Sequence, residues 1–153
     1  SIIKMVERSM PGRLRNVYCH PAGGGKYLAI LQFVTRSASD EGRQRQAALT
    51  AFAAFPELKH VILVDEDVDI FDNNDVLWAM TTRFQGDRDF VAIPGVRCHP
   101  LDPTQSPDYS PSIPEVGCSA KSIFDCTVPF RLKNRFRRAE FVPVDLSRFL
   151  PDR

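Results

Sequence analysis

The sequence has no Cys-x-x-Cys pair and only four cysteines, Cys19, Cys98, Cys118 and Cys126, in 153 residues. A chain of this length buries a core without covalent staples, so buried free thiols are expected rather than a disulfide framework. Charge of one sign is also lacking. Twenty Lys and Arg stand against 19 Asp and Glu, a net +1, which supplies no field to draw nucleic acid or an anionic membrane. No apolar run reaches membrane-spanning length, and residues 1–10 carry charges where a signal peptide needs its apolar centre. Neither nucleic acid nor membrane is an expected partner, and a cytoplasmic origin is the expectation. A Walker loop is missing as well. Gly23-Gly24-Gly25-Lys26 has His20 where the pattern needs glycine and Tyr27 where it needs Ser or Thr. It reads as a tight turn feeding a strand.

What is present is an alternation of buried strands and amphipathic helices. Tyr27–Val34 and His60–Asp65 are apolar on both faces, as strands covered on both sides must be. Between them Asp40–Phe55 reads as a helix that starts near Ser39 or Asp40, with Ala47, Ala48, Ala51, Phe52 and Phe55 on one stripe. Strand, helix and strand of this length make a right-handed unit with parallel strands. Asn74–Phe84 reads as a second helix capped by Asp72, Asn73 or Asn74, and Phe90–Ile93 as a third short strand. Six of the twelve prolines then fall between Pro94 and Pro114, beside Ser106, Ser110 and Ser112, which predicts a loop. Lys121–Thr127 returns as a strand. Basic Arg131–Arg138 carries Phe136, which suggests packing on a partner or another domain, and Phe149-Leu150-Pro151 closes the chain. The fold class is α/β: a three-layer, mixed, mostly parallel sheet with helices on both faces, in a single domain over residues 1–153.

Two features invite chemistry. Asp65, Asp67 and Asp69 follow a buried strand at its carboxyl end, where open α/β sheets place ligands. If extended, they share one face and could hold magnesium or manganese with a phosphate, as in nucleotide-sugar glycosyltransferases. The plainer reading has these acids capping turns and the following helix. The second feature is Cys-His-Pro, which occurs at Cys19–Pro21 and again at Cys98–Pro100. Neighbouring side chains on extended backbone point apart, so each copy could offer one ligand to a shared zinc ion.

Taken in order, Val61–Asp69, Asn74–Arg83, Val96–Leu101, Lys121–Pro129 and Ala139–Phe141 resemble the last domain of the UbiD family of reversible decarboxylases. The resemblance lies in the acidic turn, in the Asp-Val-Leu-Trp-Ala helix ending in Thr-Arg, and in the Lys-x-x-x-Asp-x-x-x-Pro element. It implies loss of carbon dioxide from an aromatic or α,β-unsaturated acid on prenylated flavin mononucleotide, which accepts electron density while a glutamic acid protonates the carbon. In the family a preceding split-barrel domain binds the flavin, a divalent metal (manganese or magnesium) and potassium, and supplies an Arg-Glu-Glu catalytic set. These residues contain no such region, so no cofactor is expected on this domain alone and the isolated chain is expected to be inactive.

The resemblance further implies that this domain gives dimer contacts and one wall of the substrate cleft. His99 and Leu101 fall where side chains face the substrate. The family often has an aromatic residue at the first position, and an imidazole there suits a hydroxylated aromatic acid. It also makes Asp65, Asp67 and Asp69 structural, with Arg83 as charge partner. The competing readings are a metal-dependent glycosyltransferase-like enzyme using the acidic turn, and a noncatalytic dimerisation module.

Overall fold

Four consecutive branched residues, Val61-Ile-Leu-Val64, offer no polar side chain to either face, and they form the middle of the sheet. In the computed structural model, which describes residues 1–111, 113 and 116–149, five strands assemble. They are β1 (Leu14–Cys19), β2 (Leu28–Phe33), β3 (His60–Asp65), β4 (Phe90–Arg97) and β5 (Cys118–Cys126), in the order β1-β2-β3-β5-β4. The centre, β2-β3-β5, is parallel, and the edges β1 and β4 are antiparallel. Ser112, Pro114, Leu150 and Pro151 lie outside the described residues.

Alternation along the strands sorts the core into two clusters. Ala29, Leu31, Phe33, Val61, Leu63 and Ile123 meet the helices α1 (Ile2–Ser9) and α2 (Arg43–Ala54). Ile30, Ile62 and Val64 meet α3 (Asn73–Thr82) through Val76 and Ala79, with Val68 and Ile70 of the acidic turn. The sheet is thus mixed, parallel at its core, with helices on both faces. Ala47, Ala48 and Ala51 are fully buried, and such small side chains let α2 lie close against the strands.

Several boundaries differ from the sequence expectation. Asp40 does not start α2. Its carboxylate accepts the amides of Arg36 and Ser37 at 2.8 and 3.2 Å and pairs with Arg13 at 2.9 Å, while Gly42, at φ 86°, turns the chain into the helix. Burial pushes the Asp40 carboxyl up, but those amides and Arg13 hold it below its usual range. Pro94 does not end β4. The strand continues to Arg97 across a bulge between Ile93 and Val96, with Gly95 at φ 69°. An edge strand tolerates a proline that cannot donate. The first residues fold as α1 and bury Ile2 and Val6. The Asp72 side chain caps α3, accepting from the Asn74 amide at 2.9 Å.

Candidate functional site

The two sequence-flagged features lie at opposite ends of the sheet. At the amino ends of β2 and β3, the Tyr27 carbonyl accepts the amides of Lys59 and His60 at 3.0 and 2.7 Å. Lys59 reaches from there to the loop after β4, where its ammonium donates to Asp102 Oδ1 at 3.0 Å and Thr104 Oγ1 at 2.7 Å. Asp102 is buried. Burial alone would raise its pKa, yet the Thr104 amide and Lys59 hold it below the usual carboxylate range. This part-buried pair pins the loop carrying His99 and Leu101.

His99 is packed where it sits. Its side chain is 11% exposed, and its Nδ1 accepts the Leu101 amide at 3.0 Å with the Tyr27 hydroxyl at 3.3 Å. Nε2 stands 3.5 Å from Glu57 Oε1. Leu101, in contrast, is 78% exposed. Glu57 is itself held in place: the buried Lys121 ammonium donates to the carbonyls of Pro56, at 2.8 Å, and Leu58, the residues on either side. Burial lowers the Lys121 pKa. Next to this group Gly23, Tyr27, Lys59, His60, Asp102 and Pro103 line a cleft of about 310 Å³.

The doubled Cys-His-Pro has a structural explanation. The carbonyls of His20 and His99 accept the amides of Gly23 and Asp102 respectively, three residues on. The imidazole Nδ1 accepts the amide two residues on, from Ala22 and Leu101, at 3.0 Å in both cases. Each histidine caps its own turn. The sulfur of Cys98 contacts Gln105 Oε1 at 3.4 Å, and Cys19 is exposed.

At the carboxyl ends the acidic residues do not alternate on extended backbone. β3 stops at Asp65, and the Val68 amide closes a turn on the Asp65 carbonyl at 3.2 Å. Arg83, just past α3, takes Asp65 at 3.0 Å and both oxygens of Asp67 at 2.7 and 2.8 Å. Asp69 accepts the Phe71 amide in a local turn at 2.9 Å, and Arg138 makes a two-pronged pair with Asp75 at 2.6 and 2.9 Å. Burial drives the Asp65 carboxyl up to about 6 against the opposing pull of the Val128 amide and Arg83. Among the described residues no group of three or more His, Cys, Asp or Glu could hold a metal ion. The basic segment expected to face a partner folds back within the chain: Arg83 donates to the Phe136 carbonyl and Lys133 to that of Thr35, at 3.0 and 2.6 Å. Clefts of about 400 and 170 Å³ flank it, sharing Arg83, Val128 and Phe136.

Sequence reading reached His99, Leu101 and Arg83 but not Tyr27, Glu57, Lys59 or Asp102. Lys59 and Asp102 are 43 residues apart, so no spacing rule links them.

A mixed α/β sheet, parallel at its core, with Leu101 exposed on a turn at the amino ends of its strands and with Asp65 and Asp67 held by Arg83, defines the class: an α/β domain whose acidic turn is bound within the chain. Residues 1–126 match the model of the 3-octaprenyl-4-hydroxybenzoate carboxy-lyase C-terminal domain, and the chain belongs to this UbiD carboxy-terminal family. It is 55% identical over 152 residues to a gallate decarboxylase of Lactiplantibacillus plantarum, covering 98% of this chain and 31% of that protein. Among solved structures, the apo 3,4-dihydroxybenzoic acid decarboxylase from Enterobacter cloacae superposes with a TM-score of 0.89 at 62% identity, over 97% of this chain and 30% of that one. The UbiD-class enzyme HmfF from Pelotomaculum thermopropionicum, in complex with FMN, gives 0.79 at 31% identity, over 97% and 32%. The chain therefore spans about a third of the length of these relatives. Among the described residues no helix is long and apolar enough to cross a membrane.

Proposed function

We propose that residues 1–153 act as one domain, the carboxy-terminal α/β domain of a decarboxylase of hydroxylated aromatic acids, working with a flavin-binding domain in cis or in trans. The observation that carries this reading is that relatives at 62% and 55% identity are named for 3,4-dihydroxybenzoic acid and for gallate, both benzoic acids with adjacent ring hydroxyls. Prenylated flavin mononucleotide, with a divalent metal (manganese or magnesium) and potassium, belongs to the other domain and supplies the electron sink when bound. The FMN complex of the more distant relative supports a flavin. The part assigned to this chain is positional.

In that role Leu101 lays exposed apolar surface along the aromatic ring, and His99 stands behind it with a polar edge for a ring hydroxyl. The Lys59–Asp102 pair fixes both. A polar group placed to match a substrate hydroxyl discriminates strongly against analogues lacking it, because the unmatched partner stays unpaired. The complete protein is a homo-oligomer, at least a dimer, and cytoplasmic.

Replacing His99 with Phe in the complete enzyme tests the assignment. We expect kcat/KM for 3,4-dihydroxybenzoate to fall roughly tenfold or more, and that for an aromatic acid without ring hydroxyls to change far less. Equal losses on both substrates would count against His99 as part of the cleft wall.

A further inference from the structure

The tautomer of His99 is fixed by the chain itself, and this has a consequence for what the cleft can recognise. A backbone N–H only donates. The Leu101 amide points at His99 Nδ1 from 3.0 Å, so Nδ1 is unprotonated and accepts. Tyr27 completes the arrangement, with its hydroxyl 3.3 Å from the same nitrogen and its ring edge-on to the imidazole at a centroid distance of 5.7 Å. The proton of the neutral ring must then sit on Nε2. The group nearest Nε2 is Glu57 Oε1 at 3.5 Å, a pure acceptor when ionised. His20 is an internal parallel: its Nδ1 accepts an amide, and its Nε2 faces Asn73 Oδ1 at 2.8 Å.

Resting on the functional reading above, we propose that the Leu101 amide locks His99 as an Nε2–H donor and that Tyr27 is a positioning residue that holds the ring in that pose, so that the cleft selects aromatic acids presenting a lone-pair or anionic oxygen there. Glu57 is the acceptor that holds the imidazole until such an oxygen replaces it. The contact from Nε2 to Glu57 is longer than a good hydrogen bond, and the Glu57 carboxylate, 38% exposed, has a second cation at hand in Lys26 at 3.6 Å. Its carboxylate can therefore give way without being left unpaired. A substrate hydroxyl is met as an acceptor, which favours its ionised form. A ring amine, whose nitrogen is a poor acceptor for the Nε2–H, is disfavoured.

The experiment uses the complete, cofactor-loaded protein. Ring ¹⁵N signals of histidine, with His99 assigned by its loss in His99→Phe, report the tautomer directly. The expected result is a proton on Nε2 in the free protein and a shifted Nε2–H signal on adding 3,4-dihydroxybenzoate. In parallel, Tyr27→Phe is expected to raise KM for 3,4-dihydroxybenzoate by about tenfold or less, the scale of one hydrogen bond, with kcat little changed. Made on the His99→Phe background, the same change should add nothing, because coupled residues are not additive. A 3-amino-4-hydroxy analogue should bind more weakly than the diol. A proton on Nδ1, fully additive penalties, or equal affinity for the amine would overturn the inference while leaving the decarboxylase reading intact. Failure of the wild-type protein to bind any hydroxylated aromatic acid would end that reading, and this inference with it.

Discussion

His60 shows how a single residue makes stability depend on pH at the proposed cleft. Burial and the neighbouring Lys59 lower its pKa below the ordinary 6.5, with a smaller opposing pull from Asp102, so the folded chain binds that proton less tightly than the unfolded one. The sign follows from linkage: its contribution is complete above 6.5 and is lost as pH falls toward the folded value. Urea midpoints should therefore drop below about pH 6.5, and the drop should shrink in His60→Phe; a parallel decline in both proteins would contradict this. The same scale explains why much of the site was hidden in the sequence. His99 and Leu101 lie in one tripeptide that carries a motif, and a reader finds them together. Tyr27, Glu57, Lys59 and Asp102 come from three separate segments, and each looks like an ordinary surface residue until the fold buries a charge. The doubled Cys-His-Pro was visible, but its meaning was not, because a histidine accepting the amide two residues on leaves no trace in composition.

Among the elements, those with the most one-sided physics were the most legible. β3 begins and ends where the apolar run does, at His60 and Asp65, because nothing polar interrupts a strand buried on both faces. The start of α2 was misplaced, since Asp40 looks like a cap but serves Arg36, Ser37 and Arg13 instead. β4 was cut short at Pro94 because proline argues against a strand interior, an argument that loses force at an edge with a bulge. Arg83 joins four segments, tying the end of β3 and the acidic turn to the end of α3 and, through the Phe136 carbonyl, to the returning basic segment. Its side chain is 2% exposed and that of Asp65 7%, whereas Asp67 at 41% lies close to water. The cost of breaking this joint thus resides in Asp65, left buried without its counter-charge and with only the Val128 amide, at 2.9 Å, to satisfy it. Arg83→Met should cost about 3–5 kcal/mol in chemical denaturation. A loss under about 1 kcal/mol, typical of exposed pairs, would show that water reaches Asp65 freely.

On the scale of the whole molecule, the two ends of the sheet are built differently. At the carboxyl ends, where doubly wound sheets usually bind ligands, Arg83, Lys133 and Arg138 draw the basic segment across the acidic turn. At the amino ends, a turn with an exposed Leu101 faces outward beside an open cleft. That arrangement suits a domain whose partner surface carries the reacting group, and it is why the isolated chain is expected to release no carbon dioxide. The most direct test supplies the complete protein with prenylated flavin mononucleotide, verifies loading by absorbance, and follows 3,4-dihydroxybenzoate. The prediction is that acid is consumed with matching release of carbon dioxide and catechol, only when the flavin is present. A flavin-loaded protein that leaves both 3,4-dihydroxybenzoate and gallate intact would contradict it.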